Sequence, residues 1–129
     1  MKKVFLFNIS GKKLERINMT AERLGIRSVS VYKKDFGLPL GAIVGRIGRF
    51  GEREQNADFT EEMLVMTDLD ERALGEFLSG IRLAGAPVAL KAVVTEHNLT
   101  LSPCALQKEL AEEHAKVMAA INTNKKRPQ

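Results

Sequence analysis

The sequence predicts an α/β domain: a four-stranded parallel sheet of order 2-1-3-4 with helices on both faces, a Rossmann-like three-layer sandwich. Three observations predict it. Four apolar runs have strand character, segments of helical period lie between them, and the composition is that of one globular unit. With 129 residues, 44% hydrophobic and 28% charged, there is room for a single domain with an ordinary core. Strands separated by helices imply parallel pairing through right-handed crossovers.

Each element has its own signal. Val4-Phe5-Leu6-Phe7 is a continuous apolar run, as expected of a strand buried on both faces. Leu14, Ile17, Ala21 and Leu24 form a helical stripe that Gly25 closes as a C-terminal cap. Ser28-Val29-Ser30-Val31 alternates, so the second strand has one wet face. After a long connection, Met63-Leu64-Val65-Met66 is the second continuous run. Leu74, Phe77, Leu78 and Ile81 mark the next helix, ended by Gly85 with Pro87 beyond it. The fourth strand, Val88 to Val94, is broken by Lys91 and so partly exposed. Ser102-Pro103 opens a last helix in the N-cap and first-turn positions. Its stripe is Leu106, Leu110, Val117 and Ile121, with His114 half-buried within it. The wholly apolar strands belong in the middle and the mixed ones at the edges, which sets the order 2-1-3-4. No internal repeat and no low-complexity tract is visible. The domain is expected over residues 1–122, followed by a basic flexible tail over 123–129.

The stretch GAIVGRIGRFGEREQN, residues 41–56, sets glycines beside arginines as phosphate-binding loops do. Its spacing fits neither GxGxxG nor GxxxxGK[ST], and it does not join a strand to a following helix. Leu40, Ile43, Val44 and Ile47 are at helical spacing with Pro39 at the start. The segment reads as a short packing helix with Gly41, Gly45 and Gly48 on one stripe, released into a loop by Gly48 and Gly51. Arg46 and Arg49 lie at its solvated edge, within reach of an anion over the sheet edge.

Composition excludes several function classes. Of the net charge of +4, Lys125, Lys126 and Arg127 supply three units, leaving +1 for the rest. With no Trp and one Tyr, base stacking has little to work with, which argues against nucleic acid. No apolar run approaches the roughly 20 residues of a membrane span, and the N-terminal run is too short for a signal peptide. A single Cys104 implies a reducing cytoplasm and a small buried hydrophobe. Two histidines without a Cys pair or HExxH spacing make no metal site, and no cofactor is expected.

In a parallel sheet of this order, a crevice opens at the carboxyl ends of the first and third strands. The residues brought there are Asn8, Ser10, Gly11 and Lys12 after the first strand and Thr67 and Asp68 after the third. Thr95, His97 and Asn98 follow the fourth. These are the candidate ligand-binding residues; none is assigned as catalytic. Ser10-Gly11-Lys12 offers backbone N–H groups and a cation to a small anionic ligand, and His97 with Asp68 or Glu96 has the makings of a general base. Structural roles compete: Ser10 and Asp70 are placed as helix N-caps, and Asn8 and Asn98 suit tight turns.

The segments KKVFLFN, KLERI…AERLGIR, EEMLVMTDLDERALGEFLSGIRLAGAPVALKAVVTEHN and LQKELAEEHAKV together resemble a bacterial family of small uncharacterised proteins, a domain of unknown function. LKAVVTEHN and ELAEEH are its most recognisable parts. The resemblance implies a compact single domain and carries no catalytic residue or cofactor. The expected function is a non-catalytic small-ligand-binding or regulatory module using the strand-end crevice. A protein-interaction or homodimerisation domain is the alternative, through the glycine-striped helix or the last helix near Met118 and Ile121. An enzyme of the same crevice ranks third.

Overall fold

A computed structural model gives the fold; it describes residues 1–46 and 57–126, the last of these (122–126) through the backbone only. The chain runs β1 (Lys3–Phe7), α1 (Gly11–Arg23), β2 (Arg27–Val31), α2 (Leu40–Ile43), β3 (Met63–Thr67), α3 (Glu71–Leu83), β4 (Leu90–Val93) and α4 (Pro103–Lys126). Short 3₁₀ turns cover Lys33–Asp35 and Asn98–Thr100. One sheet carries all four strands in the order β2-β1-β3-β4, with the wholly apolar strands in the middle as their composition requires.

The sheet is mixed, not parallel. β1 pairs with β2 and β3 with β4 in parallel, but β1 and β3 run antiparallel, Phe7 opposite Met63 and Lys3 opposite Thr67. The reason lies in the connection from β2 to β3. Its α2 segment reaches the far end of the sheet, where the Leu40 N–H donates to the Leu101 carbonyl (2.7 Å) and Arg46 meets Asp68. Residues 59–61 are back at the end where β2 stopped, held by Asn8. The chain therefore enters β3 from the end where β2 stopped, in the direction opposite to β1. A single crossover to the far end would have entered it in the same direction.

The antiparallel pair exposes a repeat that the residues conceal. Positions sixty apart correspond: Phe5 pairs directly with Val65, Val4 with Met66 and Leu6 with Leu64, so an approximate two-fold axis passes between Phe5 and Val65. α1 and α3 each have 13 residues, and their N-caps are Ser10 and Asp70. Burial alternates identically along 11–27 and 71–87. Both helices end in the same motif, with left-handed Gly25 (φ 71°) and Gly85 (φ 74°). In each, the next residue's N–H returns to the last turn: Ile26 to Ala21 O and Ala86 to Ile81 O, both 2.8 Å. Between the two halves only Leu14/Leu74 and Gly25/Gly85 are identical, so no repeat shows in the letters. The symmetry breaks beyond Ala86, where three additional residues precede the strand: Lys3 pairs with Arg27, whereas Met63 pairs with Leu90.

The two-fold puts α1 and α3 on the same face. Val4, Leu6, Leu64 and Met66 meet Ile17, Ala21, Phe77 and Ile81 there in one buried cluster. The alternate side chains Phe5, Phe7, Met63 and Val65 face the other way, against Phe36, Leu40, Phe59, Cys104 and Leu106. Phe36 and Phe59 stack at 4.6 Å between centroids, with Phe7 tilted beside both. Burying each of these large side chains contributes about 1.5–3 kcal/mol. Cys104 is buried as expected, its Sγ 3.5 Å from the Asp58 carbonyl.

Two helices depart from expectation. α2 is a single turn ending at Ile43, and Gly45 lies beyond it with φ 80°, outside the helix rather than on a stripe. Ile47, Gly48, Arg49 and Gly51 fall outside the described residues. α4 packs only its first two turns; every residue from Glu112 to Ile121 is exposed, His114 included. His114 is not half-buried, because the sheet it would pack on ends near Ala111. The helix continues to Lys126, into the segment expected to be a tail.

The α1–α3 crossing gives a test. A Cβ on Gly80 would lie 2.7 Å from Thr20 Cγ2, a buried methyl whose hydroxyl is tied to Arg16 O (3.0 Å), whereas a Cβ on Gly75 meets nothing. Gly75→Ala is therefore expected to stabilise by up to about 1 kcal/mol. Gly80→Ala is expected to lose that gain and destabilise by about 1–3 kcal/mol as the helices are forced apart. Denaturant melts of the two variants side by side check this.

Candidate ligand-binding site

Antiparallel pairing divides the predicted constellation. Asn8, Ser10, Gly11 and Lys12 lie at one end of the sheet; Thr67, Asp68, Thr95, His97 and Asn98 lie at the other. A five-residue strand separates them by roughly 15–20 Å, so they do not meet around one small ligand.

The far group is largely committed to the fold. Thr67 is buried at the end of β3. Asp68 sits at φ 61°, accepting from Arg46 at 2.8 Å and facing the N-terminal amine at 3.6 Å. Arg46, a candidate for reaching an anion, is thereby occupied. Asn98 is buried and closes a reciprocal turn. Its Oδ1 accepts from the Thr95 N–H (2.8 Å), its own N–H donates to Thr95 Oγ1 (3.3 Å), and its Nδ2 donates to Val93 O (3.0 Å). His97 is exposed, and the carboxylate beside its Nε2 is that of Glu109 at 3.4 Å, not Asp68 or Glu96. Sequence proximity could not reveal that partner, which a helix brings in from twelve residues on.

At the near end, Asn8 holds φ 60° and its Nδ2 donates to Phe59 O (2.8 Å) and Glu61 O (3.1 Å). This mirrors Asp68: each left-handed residue grips the chain just ahead of the other half's central strand. Left-handed Asn and Asp are the non-glycine residues that tolerate this conformation best. Ser10, Gly11 and Lys12 differ. Ser10 is the N-cap of α1, exposed and without a side-chain cap bond; Gly11 takes φ 65°, and no acid occupies the first turn. Lys12 is exposed and makes no ion pair among the described residues. The equivalent turn of the second half is filled: Asp70 accepts from the Ala73 N–H at 2.8 Å and Glu71 follows.

Beside the Ser10 turn lies a crevice of about 660 Å³ at the carboxyl ends of β1 and β2. Asn8, Ser10, Ser30, Tyr32, Lys33 and Thr60 line it. Lys33 reaches Asp58 only at 3.9 Å with both side chains exposed, a weak contact. Tyr32, Lys33, Ser30 and Thr60 escaped sequence reasoning; the alternation of the second strand pointed to its wet face but not to the turn beyond it. Among the described residues no three His, Cys, Asp or Glu are placed to hold a metal ion. No helix among them is long and apolar enough to cross a membrane.

Fold and site together define a small α/β domain of two βαβ halves with an open crevice on the first. Residues 62–117 match the family model described as Domain of unknown function (DUF3783), spanning the second half and the start of α4. The resemblance to a domain of unknown function thus holds. No curated protein and no solved structure matches the chain.

Roles at the far end can be separated by stability. Asn98→Ala removes a buried side chain and its two turn hydrogen bonds, leaving the part-buried Thr95 N–H and Val93 carbonyl without that partner. It is expected to cost about 1–3 kcal/mol, lowering the melting temperature by several degrees. His97→Ala, at an exposed site, is expected to stay within about 0.5 kcal/mol of wild type. Thermal melts of both variants check the contrast.

Proposed function

We propose that the protein is a non-catalytic binding module for a small anionic ligand, taken up in the crevice at the ends of β1 and β2. One observation carries the reading: the Ser10-Gly11-Lys12 turn leaves the start of α1 uncapped and free of acid at the edge of a crevice, while its structural equivalent fills the same position with Asp70 and Glu71. Free N–H groups and the positive end of the helix dipole favour an anion there, and Lys12 and Lys33 add charge. Tyr32, 69% exposed, offers a ring face and a hydroxyl to the rest of the ligand. His97, the strand-end histidine, stands at the opposite end of the sheet, which favours binding over acid–base chemistry at this crevice. With its thiol buried and unpaired, the module suits a reducing cytoplasm.

The test is a thermal-shift screen with inorganic phosphate, nucleoside monophosphates and phosphorylated sugars. A ligand at a hundred times its dissociation constant adds about 2.7 kcal/mol, a rise of several degrees. Ser10→Asp should abolish the shift without lowering intrinsic stability, because Asp caps a helix as well as Ser does. Lys12→Glu should weaken binding and flatten its salt dependence. A flat screen, or a shift that survives Ser10→Asp, would sink the proposal.

A further inference from the structure

We infer that the projecting part of α4 is a self-association element, which pairs antiparallel with α4 of a second copy of this chain. The helix leaves the sheet at Ala111, and the stretch from there to Lys126 extends about 22 Å. A free helix of that length is marginal in water, since helices draw most of their stability from packing an apolar face. Such a face is present: Val117, Met118 and Ile121 are 56%, 44% and 40% exposed. They share one side of the helix at i, i+3 and i+4 spacing. That stripe runs back through His114 and Ala111 into an apolar groove of about 410 Å³ between α4 and the start of β4, floored by Ala89 and Leu90.

Charge identifies the occupant. The groove is rimmed by Glu61 and by Glu62, which Lys13 pairs. The adjoining turns of α4 carry Glu109, beside His97, and Glu112 and Glu113 against a single Lys108, a net negative surface. Beyond Glu113 the chain has no acid and bears Lys116, Lys125, Lys126 and Arg127. One helix is therefore acidic where it meets the body and basic where it projects. Parallel pairing would set like charges side by side. Antiparallel pairing lays each basic end along the other copy's acidic turns, with Val117, Met118 and Ile121 of the two helices against one another, and two-fold symmetry makes every contact twice. The acids near the body disfavour an anionic membrane surface as the alternative occupant.

Sedimentation velocity on the full chain, from about 1 to 200 µM at low salt, is the test. The expected result is a dimer, and Met118→Glu and Ile121→Glu are each expected to raise its dissociation constant at least tenfold. Both positions are exposed, so far-UV dichroism and the melt should show the body intact. A Glu112→Lys/Glu113→Lys variant and a Lys125→Glu/Lys126→Glu variant should each dimerise poorly alone and recover on mixing, because both heterodimer contacts then regain opposite charges. A wild type that stays monomeric at the highest concentration would overturn the inference. So would a dimer indifferent to Met118→Glu and Ile121→Glu, or a monomer that instead sediments with phosphatidylserine vesicles.

Discussion

The antiparallel contact between β1 and β3 is the constraint on which the molecule depends. Both strands are apolar on each face, so neither can stand at an edge, and each needs a partner on both sides. Joining them to one another satisfies both at once and leaves the half-wet strands β2 and β4 for the edges. Because the junction is antiparallel and centred on Phe5 and Val65, it relates the two βαβ halves by rotation rather than translation. The rest follows: α1 and α3 share a face, cross at Thr20 and Gly80, and leave the second face to α2, to Phe36 and Phe59, and to the root of α4.

The same junction decides where chemistry can sit. In a parallel sheet all four strand ends open on one crevice, and polar loops pool their side chains. Here the ends alternate by halves, so each half presents its own small set. The second half spends its set internally: Asp68 holds Arg46 and the N-terminus, Asp70 caps α3, and Asn98 closes the turn after β4. The first half spends Asn8 in the same way but leaves Ser10 and Lys12 unspent beside a crevice. Duplicated architecture thus carries an internal comparison, and the difference between equivalent turns says more about function than either turn alone.

Much of the fold was legible in the residues. Strand order followed from which runs were continuous and which alternated, the helix ends from Gly25 and Gly85, and the start of the last helix from Ser102, whose Oγ accepts from the Ala105 N–H at 3.1 Å. Strand direction was not legible, because a continuous apolar run reports burial on two faces and is silent on polarity. The repeat was hidden because its two halves keep a pattern of exposure and backbone angles while sharing almost no side chains. His114 was misplaced because apolar periodicity along α4 says which side is greasy, not whether the body extends far enough to cover it. The candidate site was half readable: Asn8 and Ser10 could be picked from the residues, whereas Ser30, Tyr32, Lys33 and Thr60 could not. Their grouping depended on the strand direction that the sequence withholds.

Asn8 and Asp68 bear on how the chain reaches this state. Each βαβ half is local in sequence and can form early, whereas the central pair joins residues sixty positions apart and must await closure of the connection. Until then each half exposes the unpaired edge of its most apolar strand, the condition under which chains aggregate or exchange partners. The clamps from Asn8 to Phe59 and Glu61, and from Asp68 to the N-terminal amine, act across that boundary and not within a half. They form only when the halves have docked, so they slow the opening of the junction more than they hasten its closure. The polar contacts at the sheet's two ends thereby add, Asn8 more than the exposed Asp68 pair, to the persistence of a state held mainly by the buried central strands.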